Sequence, residues 1–174
     1  MRRQDGFTLI ELLIVVAIIA IIAAIALPQL LRARLSGNEA SAIAALRAIS
    51  SSEANYAATC GNGGYATDLA DLSKAPPGTP HAFISPDLSA NNVQKSGYVY
   101  AVVKNGSPIT TDVLLPTCNA AVAPRASLFF ASAVPISVGI SGNRFFATDT
   151  PGTIFQDQAG AVANPIPAAA TTIQ

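Results

Sequence analysis

Gly6-Phe7-Thr8-Leu9-Ile10-Glu11 leads directly into an unbroken apolar run from Leu12 to Leu27. As a helix, residues 7–27 rise about 1.5 Å each and match the roughly 30 Å hydrocarbon core of a bilayer. Only Thr8 and Glu11 interrupt that apolar character. Arg2 and Arg3 lie just before it, so the rule that keeps positive flanks in the cytoplasm places the remainder of the chain outside. A secretory signal has a shorter apolar core and a small-residue cleavage site on its far side. Here the run passes Pro28 into Gln29-Leu30-Leu31-Arg32-Ala33-Arg34-Leu35, again of helix-forming composition, which predicts one helix kinked at Pro28.

Glu11 is the chemically exceptional residue of this stretch. Near the end of a span a carboxylate is ordinarily hydrated at the interface, whereas near mid-span it costs about 2.5–3.5 kcal/mol and calls for a partner. Once the basic leader is removed, no Lys or Arg stands within helical reach of Glu11. A cut after Gly6 would create the missing cation as the new α-amino group of Phe7.

These residues closely resemble the signature of the type IV prepilins and the related pseudopilins: charged leader, Gly6-Phe7-Thr8-Leu9-Ile10-Glu11-Leu12, apolar stretch and Pro28. The resemblance covers about the first thirty residues. It implies that a prepilin peptidase cuts between Gly6 and Phe7, that the Phe7 amine is then methylated, and that Glu11 pairs with the Phe7 amine of a neighbouring subunit during assembly. It also implies a homo-oligomeric filament, an assembly platform supplied by other proteins, and residence in the inner membrane before assembly onto the cell surface.

Beyond Pro28, Leu35, Ala42, Ile43, Leu46, Ile49 and Tyr56 recur mainly at helical spacing, with Arg34, Asn38, Ser41, Arg47 and Ser51 largely off that face. This half is amphipathic where the first half is apolar all round. It should lay one stripe on a folded head and stop near Cys60, with Gly61 or Gly63 suited to a left-handed cap. Thr67-Asp68-Leu69-Ala70-Asp71-Leu72 reads as a short helix within a loop. The period then changes: residues 97–103, 126–133, 144–148 and 153–156 read as strands, and 109–115 as a further strand or an extended loop.

The resulting expectation is an α+β fold, a pilin-like ladle whose long N-terminal helix packs on a roughly four-stranded antiparallel sheet. Its parts are a cleaved leader (1–6), a membrane-spanning or filament-core half-helix (7–27), an amphipathic half-helix (28–60), a head (61–163), and a Pro-, Ala- and Thr-rich tail (164–174) lying flexibly or along the surface. Cys60 and Cys118 both fall on the exported side, where oxidation is favoured, and are expected to form one disulfide.

Composition argues against several function classes. The formal net charge is zero, and losing Arg2, Arg3 and Asp5 takes Lys plus Arg from 10 to 8 and the acids from 10 to 9, leaving −1. Such a chain has no basic stripe for nucleic acid. His81 has no Ser, Cys or carboxylate at a catalytic spacing, and Gly61-Asn62-Gly63-Gly64 lacks the Lys-Ser/Thr of a phosphate loop, so neither an enzyme nor a cofactor site is expected. Asp149 and Asp157 are read as solvated turn residues rather than calcium ligands. The functional expectation is a structural subunit of a type IV pilus. Open alternatives are a type II secretion pseudopilin, a minor pilin, and a membrane-tethered binding domain that does not polymerise.

Overall fold

The computed structural model describes residues 6–173; the leader residues 1–5 and Gln174 lie outside that range. The chain divides between Arg34 and Leu35 into two compact units. Helix α1 (Leu9–Thr59) contributes to both and contains Pro28 in its interior.

In the first unit α1 is apolar on every side and buries nothing. Leu12, Leu13, Ile18, Ile22 and Leu31 are all more than half exposed. Its most apolar 18-residue window has a mean hydropathy of 3.2 and no buried residue. A helix of this kind is stable only against lipid or other apolar helices.

The second unit begins where α1 acquires a buried stripe. Glu39, Ala42, Leu46, Ile49, Glu53 and Tyr56 recur every three or four residues and are all buried. The helix closes through Gly61 N–H to the Tyr56 carbonyl (2.7 Å) and Gly63 N–H to the Ala57 carbonyl (3.0 Å). Gly63 supplies the left-handed residue (φ 81°), joined by Asn62 (φ 52°). Gly61 is required sterically instead, since a Cβ there would collide with the Gly64 carbonyl. Helix α2 (Leu69–Leu72) follows, capped by Asp68, which accepts from Ala70 N–H at 2.8 Å.

The sheet is larger than the expected four strands. It has six, all antiparallel: β1 (Val93–Lys95), β2 (Tyr98–Lys104), β5 (Phe129–Pro135), β6 (Phe145–Asp149), β7 (Ile154–Asp157) and β8 (Thr171–Thr172), side by side in that order. A separate ribbon joins β3 (Asp112–Val113) to β4 (Arg125–Ala126). The stretch read as one strand over 126–133 is therefore two pieces, Ala126 ending the ribbon and Phe129 opening the central strand. Residues 109–115 supply β3. The two added sheet strands are short edge pieces, β1 on β2 and β8 on β7. β8 comes from the tail, so that segment is tied to the sheet through Phe155↔Thr172 and Gln156↔Thr171.

Large and small residues alternate across the sheet in register. Tyr100 faces Ala133, which faces Phe146; Val102 faces Ala131, which faces Thr148. The alanines leave room for the aromatic rings, and together with Leu46, Ile49, Leu69, Leu72 and Leu88 they form one core. Polar ties fix the stripe of α1 to the sheet. Arg144 lies 2.7 Å from the Glu39 carboxylate, and Asn143 N–H donates to the same carboxylate at 2.9 Å. Arg144 also sits 5.3 Å over the Phe146 ring.

Candidate functional site

The N-terminal junction is open on all sides. Gly6 has no heavy atom within 4 Å of where a Cβ would lie, and Phe7 is 85% exposed. Helix α1 starts two residues later with Thr8 as its cap. Glu11 Oε2 accepts from Thr8 N–H (2.9 Å) and from the Thr8 hydroxyl (2.8 Å), while Glu11 N–H donates back to Thr8 Oγ1 at 3.3 Å. This is a reciprocal capping box of the Thr-x-x-Glu type. The structure thus gives Glu11 a partner inside its own helix, where the sequence reading found none. That partner is neutral and supplies no counter-charge, and Oε1 accepts no hydrogen bond among the described residues.

At the other end of α1 the structure joins Cys60 to Cys118, with Cα atoms 4.8 Å apart and a sequence separation of 58. Cys118 N–H also donates to the Cys60 carbonyl at 3.2 Å. On the buried stripe of the same helix lies a polar group that sequence reading missed. Glu53 is fully buried; its Oε2 accepts from Ala66 N–H (2.9 Å), and its Oε1 has no partner among the described residues. Burial pushes its carboxyl up to about 8, the Ala66 N–H working against the rise and the Asp71 carboxylate adding to it. Asp71 itself is well satisfied, accepting from Val122 and Ala123 N–H (3.0 Å each) and from Lys74 at 3.2 Å. Arg125 Nη1 donates to the Gly61 carbonyl at 2.6 Å, and burial drives the Tyr56 phenol up to about 12. The signal for Glu53 was its place at helical spacing on the apolar stripe between Ile49 and Tyr56.

The remaining candidates are dispersed. His81 is exposed and lines an open groove of about 530 Å³ with Asn55, Thr59, Phe83 and Cys118. Asp149 and Asp157 stand at opposite ends of the β6–β7 hairpin, since Asp157 faces Phe145 while Thr148 faces Ile154. Among the described residues no group of three or more His, Cys, Asp or Glu side chains converges as a metal site would require.

Residues 1–27 match the prokaryotic N-terminal methylation motif. No curated protein and no solved structure matches the chain. The motif spans the leader, the Gly6-Phe7 junction, Glu11 and the exposed apolar half of α1, and the antiparallel head with its disulfide is consistent with it. This N-terminal motif supports a prepilin of the type IV pilin and pseudopilin family.

Proposed function

We propose that the chain is the structural subunit of a type IV pilus, held in the inner membrane as a precursor and polymerised into a surface filament after a cut between Gly6 and Phe7. The observation that carries this reading is the helix beginning just past that junction: fully apolar over 12–27, exposed almost throughout, and headed by one capped carboxylate. In lipid such a surface is satisfied. In a filament it is satisfied by copies of itself, so extraction exchanges lipid contacts for helix contacts at little hydrophobic cost. Ala17, Ala20, Ala23, Ala24 and Ala26 keep the backbone approachable along that surface.

Glu11 then selects the register. Both Thr8 donors fall on one carboxylate oxygen, which leaves the other for an amine arriving from a neighbouring copy. Freed by cleavage, the Phe7 amine is such a donor on every mature chain, and a charge-assisted pair in apolar surroundings penalises misaligned neighbours.

Shearing cells that produce the chain, and weighing the released material by mass spectrometry, tests the reading. Long fibres containing a chain that begins at a methylated Phe7 are expected. Short envelope-bound assemblies needed for protein export would favour a secretion pseudopilin instead. A chain that remains monomeric in membranes while fibres persist without it would refute the structural role.

A further inference from the structure

Two exposed apolar tips occupy opposite ends of the head. The first is the turn between β5 and β6, where Ile136, Val138 and Ile140 are 50%, 59% and 74% exposed. It lies beside the beginning of the buried stripe, because Asn38 Nδ2 donates to the Ser141 carbonyl at 2.8 Å. The second is the loop between β3 and β4, where Leu114, Leu115 and Val122 are 88%, 58% and 85% exposed. It lies beside the end of α1 through the Cys60–Cys118 bridge. From Asn38 to Cys60 the helix advances about 33 Å at its usual rise.

Neither tip is a frayed segment. The first is cross-braced by Ser141 N–H to the Ser137 carbonyl (2.9 Å), Ser137 N–H to Ser141 Oγ (3.0 Å) and Gly139 N–H to the Gly142 carbonyl (3.0 Å), with Gly139 left-handed (φ 84°). The second is pinned by the disulfide, by Val122 and Ala123 N–H on Asp71, and by Ala121 N–H on Thr117 Oγ1 at 2.8 Å. Its two limbs flank an open pocket of about 260 Å³ lined in part by Leu114, Leu115, Ala121 and Pro124. Rigid display of apolar side chains, with a projecting turn at one end and a pocket at the other, is what preorganised docking requires.

We propose that the Ser137–Ser141 turn of one copy seats on the 113–124 loop of the next, a head-to-tail contact between heads of this chain. It rests on the filament reading above. Because the two surfaces differ, the contact is heterologous: it does not close into a two-fold pair, and it can repeat from copy to copy along a filament. The apolar surface offered is small, six side chains over both tips, against the ~1,200 Å² or more that a stable free complex buries. Heads alone therefore stay apart, and the contact forms only where packed α1 segments hold copies together at high effective concentration.

Charge placed at each tip tests this in the full chain. Ile140→Lys and Leu114→Asp each put an unpaired charge into an apolar contact, and each should lower the yield of sheared filament about tenfold. Signal cleavage and membrane retention should stay at the starting level. Combining both in one chain should restore the yield to within about twofold, since each charge then meets its opposite on the next copy. Carbodiimide treatment of those filaments should also give a peptide linking positions 140 and 114 of different copies. Single variants with unchanged yield and no such peptide overturn the contact while leaving the filament reading intact. Loss of membrane retention by Ile140→Lys overturns it in favour of lipid contact. Absence of fibres from the unaltered chain overturns both readings.

Discussion

The two halves of α1 are one continuous helix put to opposite uses, and their acids show it most directly. Up to Arg34 the helix buries no residue, and its carboxylate, Glu11, is exposed at the first turn on a Thr8 cap. From Leu35 onward it buries eight residues, two of them carboxylates, Glu39 and Glu53. The first half is written for surroundings the chain does not itself provide, and the second for the head that the same chain folds. An apolar residue is therefore no guide to burial along this helix. Period decides: continuous apolarity faces outward, a three-and-four stripe faces inward.

The largest effect expected from this contrast is at Glu11. Glu11→Val removes the only charged side chain between Phe7 and Leu27, so the variant should insert and be cleaved normally yet give almost no filament. Filament yield after shearing, with the mass of the processed chain as control, reads the result, and a normal yield would remove Glu11 from assembly. The matching change at the junction, Gly6 to a larger residue, should leave a precursor heavier by its six leader residues and likewise stop assembly.

The inward half is tested next at its end. Cys118→Ser opens a loop closed across a sequence separation of 58 and should cost about 2–4 kcal/mol of head stability, read from urea unfolding of the detergent-solubilised chain. Insertion and cleavage should be unaffected, because the bridge belongs to the second unit. Loss of insertion would mean that the two halves are less independent than their burial indicates.

Much of this division was legible in the sequence, and the failures have physical causes. Continuous apolarity over 12–27, the strands centred on Tyr100, Ala131, Ala147 and Phe155, the short helix at Leu69, and the cysteine pairing all follow from local pattern or compartment. Val93-Gln94-Lys95 does not look like a strand, and neither does Thr171-Thr172 in an Ala-rich tail. Both are made by the edges they pair with rather than by their own propensity. Glu39 escaped notice because its cation, Arg144, is 105 residues away in sequence. The Thr8–Glu11 box was visible as Thr-x-x-Glu, but a search for a cation passes over a neutral hydroxyl and an N–H.

Glu53 offers a finer test of the inward half. In an unfolded chain its carboxyl titrates near 4.5, and in the fold it holds its proton up to about 8. Between those values the folded state binds more protons, so this contribution to stability is fullest below about pH 4.5 and is lost as pH rises toward 8. Glu53→Gln keeps the acceptor for Ala66 N–H without an ionisable group. Unfolding midpoints measured from pH 4.5 to 8.5 should fall less steeply for the variant, and identical slopes would show that Glu53 is already ionised in the fold.

The smallest effect belongs to Thr8, and it separates two roles of Glu11 that the Val substitution removes together. Thr8→Ala deletes the hydroxyl that both caps the helix and holds Glu11 Oε2, while the carboxylate and the Thr8-position N–H remain. Loss of such a cap ordinarily costs about 0.5–2 kcal/mol at a helix start. Here that cost falls on the placement of one side chain. Filament yield should drop only severalfold, and Thr8→Ser, which keeps the hydroxyl, should restore it. If Thr8→Ala is as defective as Glu11→Val, the cap and not the free charge is what assembly needs. If it is indistinguishable from the starting chain, Glu11 acts through its charge alone.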